Sequence, residues 1–384
     1  MDWKLLLLVV STLIIFVVFC QTLQQGCSAN LEGFDDSEDV EMVIKKDMIC
    51  KSSYEDVKNL PLREYLIKAS FNTAYNGVDI SSNTIERRLA EGYRFLDFNV
   101  YCASGGIVYV GYSDENAPTT GFTLLTLEDA LDCVVKSAFT KPKKPIKPRF
   151  FMFNDELDEE DGDVGPNLRD NCIDYPVWIH IRVYRPPDSE TDVVAKVADI
   201  INNAQVPGNY MLRQNGMVPA QPIQITGCTT LSEIGSNRII FSMDIENVKQ
   251  VYQPSDTLSA EYVPVATRQA MRSFVNVLTG GSTIPAFYKY TDDTMLNKTM
   301  KLGITDSKKL KTNVKYMYVA YPHPNDTKEN PDSTTLISNR SIQLIPVRAY
   351  LDDYNLSTYS EMFDYFKTPF VPLSYVYTRL NSSE

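Results

Sequence analysis

Apolar and polar positions divide the chain into a leading apolar block, an acidic stretch and a long alternating region. In that last region short β-branched and aromatic runs take turns with stretches whose apolar residues recur at helical spacing. Tyr65-Leu-Ile-Lys-Ala-Ser-Phe71 predicts a strand, and 84–92 a helix with Gly92 at its end. Arg94-Phe-Leu-Asp-Phe-Asn-Val-Tyr101 and Gly106-Ile-Val-Tyr-Val-Gly-Tyr112 predict strands, and 126–135 a helix capped by Thr126. Strands follow at 177–184, 238–244, 316–320 and 342–347, with helices at 193–203, 267–278 and 357–366. This alternation implies parallel βαβ units. The expected fold is α/β, a TIM-type (β/α) barrel spanning 59–384 as one domain. A doubly wound open sheet competes, but no Gly-rich phosphate fingerprint opens any of these helices.

Two charged runs interrupt the alternation. Lys141-Pro-Lys-Lys-Pro-Ile-Lys-Pro-Arg149 is basic and extended by its prolines, and 155–163 carries seven acidic residues in nine. With Gly162 as the sixth residue of a calcium loop, Leu157 and Leu168 would fall on ligand positions, so the EF-hand template fails. A surface insertion over 140–170 is the reading that remains.

Ahead of the barrel, Leu5 to Phe19 is apolar apart from Ser11 and Thr12, and Cys20 to Leu23 lengthens it to about 19 residues, close to the span of a membrane helix. Residues 1–24 are expected to form a transmembrane anchor, and 25–58 an acidic stalk with six acidic residues between Glu32 and Glu41. A cleaved secretory signal ending near Cys27-Ser28-Ala29 is the alternative, and would make the protein secreted. Lys4 precedes the apolar block and no basic residue follows before Lys45. Positive-inside orientation then puts the N-terminus in the cytosol and the barrel on the lumenal or extracellular side, with 5–23 in the membrane. Asn297, Asn325, Asn339, Asn355 and Asn381 stand in Asn-x-Ser/Thr sequons, either glycosylated or the product of a Ser/Thr-rich end.

The 384 residues carry 37 basic and 49 acidic side chains, a net charge of -12, which argues against a nucleic-acid partner. Only two histidines exist, His180 and His323, so a mechanism needing an imidazole pair has one candidate pair. Cys20 falls in the apolar block, and Cys27, Cys50, Cys102, Cys133, Cys172 and Cys228 either make three bridges or stay as thiols. No CxxC pair or His partner suggests a metal site.

Leu62-Arg-Glu-Tyr-Leu-Ile-Lys-Ala-Ser-Phe-Asn-Thr73 resembles the opening strand of the phosphatidylinositol-specific phospholipase C barrel, where a Ser-His-Asn-Thr segment closes strand one. Gly92-Tyr-Arg-Phe-Leu-Asp-Phe-Asn-Val100, Gly106 to Ser113 and Tyr175-Pro-Val-Trp-Ile-His-Ile-Arg182 are similar to its next three strands. Tyr321-Pro322, Ile342-Gln-Leu-Ile-Pro346, Tyr359-Ser-Glu-Met-Phe363 and Phe370-Val-Pro-Leu373 resemble its closing half, and the wording is nearest to divergent versions from large DNA viruses.

The resemblance implies a phosphodiester cleaved by an inositol hydroxyl, with two histidines moving protons and oxygen ligands holding calcium. Here the histidine positions are Phe71 and Val110, and the neighbouring His/Tyr position is Tyr112. Of the metal and phosphate positions Asn72 and Asp97 remain, a carboxylate has become Asn99, a glutamate has become Arg182, and the head-group arginine has become Val319. Neither phenyl nor isopropyl can carry a proton, so the expectation is a tethered pseudoenzyme with no cofactor and no metal. It would act as a structural, protein-binding or lipid head-group-binding module, in a viral membrane or virion if the viral likeness holds. The alternative is an active phosphoric diester hydrolase using calcium. Strand alternation turns Asp97, Asn99, His180 and Arg182 inward and predicts that Arg182 pairs with Asp97. Three readings of that cluster stay open: a polar plug, an anion site using Arg182, or a metal-free arginine-based route.

Overall fold

The computed structural model describes residues 57–103, 105–112, 124–140, 172–184, 192–203, 210–213, 222–226, 228–244, 265–279, 287–291, 317–322 and 329–382. All belong to the unit Lys46–Glu384. The apolar block at 5–23, nearly all of the stalk and of the insertion, His323, and the sequons at Asn297 and Asn325 lie outside the described residues. Among the described residues no helix is long and apolar enough to cross a membrane.

The strands are β1 (Tyr65–Ile67), β2 (Ala69–Ser70), β3 (Phe95–Cys102), β4 (Val108–Gly111), β5 (Leu125–Thr126), β6 (Val177–Tyr184), β7 (Ile239–Asp244), β8 (Val277–Thr279), β9 (Phe287–Thr291), β10 (Met317–Tyr321) and β11 (Phe370–Pro372). The helices are α1 (Ser82–Ala90), α2 (Leu127–Ala138), α3 (Val193–Asn203), α4 (Leu231–Ile234), α5 (Val265–Phe274), α6 (Ser333–Arg340), α7 (Tyr354–Phe366) and α8 (Leu373–Asn381). Helix starts follow local chemistry: the side chains of Ser81, Thr126, Thr230, Asp332 and Asp353 each accept from a backbone N–H of the first turn. Gly92, at φ 88°, takes the left-handed conformation that turns the chain out of α1.

The main sheet runs β5-β4-β3-β6-β7-β8, with β2 parallel to β3. Strands β3, β6, β7 and β8 are parallel, as crossover connections require. Parallel β9 and β10 form a second ladder, and β1 pairs antiparallel with β11. Single bridges from Leu344 to Ile67 and Val319, and from Val347 to Ser70, carry the circuit from β10 back to the start. The result is a TIM-barrel-like α/β fold whose ladders do not close among the described residues; β9 lies beside β8 without a shared ladder.

Four expectations are corrected. The first strand breaks at Lys68, where the chain changes partner from β11 to β3. The 106–112 strand is antiparallel to β3, so β3 to β5 form a meander at one edge and β3 finds its parallel neighbour in β6. The 267–278 helix stops at Phe274, because buried Asn276 spends its side chain on Leu212 O, Ile223 O and Phe241 N and the chain continues as β8. The 342–347 segment makes bridges and no ladder strand; Pro346 within it has no N–H to donate.

Alternation along the strands separates two apolar clusters. Leu96, Phe98, Val100, Ile179, Ile181, Val183, Phe241 and Met243 pack outward against the helices. Phe71, Phe95, Trp178, Ile240, Val319, Tyr321 and Leu344 fill the interior, and Val57 already joins them, ahead of the expected boundary at 59. Cys102 and Cys133 stand as thiols, which rules out the three-bridge arrangement.

Candidate functional site

Inward positions of β3 and β6 read Phe95, Asp97, Asn99 and Trp178, His180, Arg182, with Asp97 opposite His180 and Asn99 opposite Arg182. The polar members lie along the middle of β3 and β6 and, with Asn72, just past the carboxyl end of β2. Arg182 donates from Nε to Asp97 Oδ1 at 2.8 Å and from Nη2 to Asp97 Oδ2 at 2.5 Å. Nη2 also donates to Asn72 Oδ1 at 2.9 Å, and the same oxygen accepts from Asn99 Nδ2 at 2.6 Å. Strand alternation places Asp97, Asn99 and Arg182, and the turn after β2 places Asn72, so all four residues expected at the degenerate site meet.

Asp97 is fully buried, and the Arg182 side chain keeps 13% of its exposure. Burial works to lower the guanidinium's pKa, but the Asp97 charge and hydrogen bonds outweigh it and hold the group above its ordinary value. The Phe71 ring lies 4.5 Å and the Tyr321 ring 5.7 Å from the guanidinium carbon, so the cation is flanked by aromatic faces. Asn72 is held at φ 46°, an uncommon conformation that asparagine tolerates better than most. Its N–H donates to Asp97 Oδ2 at 3.0 Å, and Thr73 N donates to Asp97 O at 2.9 Å, which locks the turn onto β3. Among the described residues, buried Asn72 Nδ2 and Asn99 Oδ1 have no hydrogen-bond partner.

The other sequence-singled residues are dispersed. Phe71 belongs to the interior cluster. Val110 pairs with Val100 and so shares its helix-facing side, whereas Gly111 is the β4 residue on the side of Asn99. Tyr112 also joins the helix-side cluster, stacked on Tyr75 at 4.1 Å and edge-on to Tyr350. The two histidine positions of the resemblance therefore lie on opposite faces of the sheet. His180 sits one layer below Arg182, where its Nδ1 bonds Ser242 Oγ at 2.8 Å and its ring stacks on Phe95. Ser242 Oγ accepts from Trp178 Nε1 at 2.6 Å as well. Val319 is buried in β10 and points no polar group at the cluster. Of the sequons, Asn355 donates its Nδ2 to Asn330 O at 2.6 Å, while Asn381 is exposed.

Sequence reasoning missed Arg348. It is fully buried just beyond the Val347 bridge, with its guanidinium carbon 5.9 Å from the Phe71 ring, so two arginines approach one phenyl group. The one charged residue in the largely apolar run 342–349 was the available signal.

Calcium, which the resemblance implies, does not fit this set. One carboxylate and two amides face a guanidinium, whose nitrogens bond three of their oxygens and whose charge opposes a dication. Among the described residues no group of three or more His, Cys, Asp or Glu side chains is placed to hold a metal ion.

The architecture defines a TIM-barrel-like α/β fold with a polar cluster on the inward face of β3 and β6. Solved phospholipase C structures share the fold. PLC21 of L. pealei is similar over 83% of this chain at 13% identity and TM-score 0.52, and PLC21 of S. officinalis over 83% at 15% and 0.50. This chain spans 38% of the length of each. A calcium-dependent phosphoinositol-specific phospholipase C from Pseudomonas sp. is similar over 77% of this chain at 11% identity and TM-score 0.40. No family model and no curated protein sequence matches the chain.

Proposed function

We propose that this chain is a membrane-tethered barrel of the phosphatidylinositol-specific phospholipase C type that does not cleave phosphodiesters and serves as a structural or interaction module. The observation that carries the reading is Arg182 forked onto Asp97 beside Phe71. Where the resemblance implies an imidazole and a metal, the chain offers a phenyl ring and a neutralised ion pair, and proton transfer by a positioned side chain is worth about 10²–10⁴-fold in rate. Residues 5–23 are the tether, with the N-terminus cytosolic and the barrel on the lumenal or extracellular side. The viral wording of the motifs supports a place in a viral membrane or virion.

A second reading, recognition of an anionic lipid head group without cleavage, is favoured by one feature: Arg182 Nη1 has no hydrogen-bond partner among the described residues on a side chain that is still 13% exposed.

The deciding experiment is turnover of a soluble inositol phosphodiester by the full chain in detergent, with calcium and with a chelator. No turnover in either condition is expected; calcium-dependent turnover would overturn the proposal in favour of a phosphoric diester hydrolase. Sedimentation of the same protein with phosphoinositide-containing and phosphoinositide-free vesicles separates head-group binding from a purely structural role.

A further inference from the structure

We infer that Tyr101, Tyr109 and Tyr184, set one layer above Arg182, form with it a binding site for an aromatic carboxylate. The register places the three side by side: Tyr101 of β3 lies opposite Tyr109 of β4 and opposite Tyr184 of β6. The row beneath, in the same strands, reads Asn99, Gly111 and Arg182, so alternation turns all three phenol rings to the face that carries the guanidinium. Tyr101 and Tyr109 stack with ring centres 5.8 Å apart and planes at 30°. Tyr101 is 8% exposed, and Tyr109 and Tyr184 are half-buried. None of the three hydroxyls has a hydrogen-bond partner among the described residues.

Charge and shape select the occupant. Nε and Nη2 of Arg182 are spent on Asp97 and Asn72, which leaves Nη1 as its uncommitted donor. Asp97 is the only buried carboxylate among the described residues, whereas Arg182 and Arg348 both approach the Phe71 ring, so one added negative charge is favoured there. The phenols bring no charge of their own: burial, and then Tyr109, raises the Tyr101 pKa above its ordinary value. Two residues of strand rise about 6.6 Å, the reach from a carboxylate held at Nη1 to the ring that bears it. A flat ring at that height meets aromatic faces, which bind it in offset or edge-on contact. A polyol ring such as inositol would bring hydroxyls that need acceptors, and the Asp97 and Asn72 oxygens are already engaged. The inference rests on the tyrosine row and Arg182, and holds whether or not the chain is tethered, turns over a phosphodiester or meets lipid.

The test uses the full chain in detergent and reads small-molecule binding by saturation-transfer NMR titration. Benzoate is the probe, with acetate, benzamide and inositol phosphate for comparison. Benzoate should bind about tenfold more tightly than acetate, which lacks the ring, and about tenfold more tightly than benzamide, which lacks the charge. Tyr109→Ala should weaken benzoate by about tenfold and leave acetate unchanged. Asp97→Asn combined with Arg182→Met removes the donor without stranding a charge, and should bring benzoate down to the level of benzamide. Benzoate held no more tightly than acetate by the parent protein would overturn the inference, as would benzoate binding that both variants leave unchanged. Inositol phosphate bound more tightly than benzoate would overturn it as well, while leaving head-group recognition standing. If either variant fails to fold, the comparison of benzoate with acetate and benzamide on the parent protein decides alone.

Discussion

Arg182 reaches back one register step along β6 to place Nε and Nη2 on the two oxygens of Asp97, at 2.8 and 2.5 Å. Both residues sit inside the barrel, so the pair is a mutual requirement. Asp97→Asn leaves a guanidinium without its counter-charge and is expected to destabilise the fold by about 3–5 kcal/mol. Asp97→Asn combined with Arg182→Met should recover most of that loss, ending within about 1–2 kcal/mol of the parent, since a buried pair exchanged for apolar volume is often near neutral. Urea unfolding of the two single variants and the double variant gives the coupling energy directly.

Phe71→His restores an imidazole at one position only. Val110 faces the helices, on the other side of the sheet, so no second proton carrier meets it. Arg182 stands 4.5 Å from the present ring centre and opposes a positive imidazole there, which lowers the histidine's proton affinity. The expected result is turnover at background in chelator and in calcium alike. A rate rising above background in Phe71→His alone would show that one imidazole suffices.

Ser242 serves two buried rings at once, Trp178 Nε1 at 2.6 Å and His180 Nδ1 at 2.8 Å. Ser242→Ala removes that shared oxygen from an interior with 0% exposure and should destabilise by about 1–3 kcal/mol. Vesicle binding should be unchanged, because the hydroxyl lies a layer below Arg182. A loss of binding without loss of stability would place Ser242 in the recognition surface.

Glu91 closes α1 by pairing with Arg88 at 2.7 Å and Arg87 at 2.9 Å. Burial by itself would raise its carboxyl pKa, but Arg88 and then Arg87 outweigh burial and hold it below the ordinary value. A carboxyl with a depressed folded pKa stabilises above its unfolded pKa, about 4.3, and that stability is lost as pH falls through the folded value. Glu91→Gln is therefore expected to cost about 1 kcal/mol at neutral pH, with the difference from the parent shrinking as acid is added below about pH 4. Denaturant melts at a series of pH values check the sign.

Much of the barrel was legible in the linear pattern. The period-two runs of β3 and β6 placed Asp97, Asn99, His180 and Arg182 on one face, and the structure keeps them there, because alternation is a property of the extended backbone. The capping side chain of Thr126 marked the start of α2. The direction of β4 was not legible, since a strand's sequence does not encode whether its neighbour runs with or against it. That single reversal sets Val110 beside Val100 and away from Asp97.

Arg348 and the break at Lys68 belong to the same category. Each depends on which distant segment lies alongside, Val347 against Ser70 in one case and Phe370 against Ile67 in the other. The residue types alone determined that positions 71 and 110 hold Phe and Val, and that an arginine shares an inward strand face with its acidic neighbour. Only tertiary packing decided that three oxygens from β3 and the turn after β2 would close around that cation, because hydrogen-bond geometry across strands arises from register, and register is settled by the whole sheet.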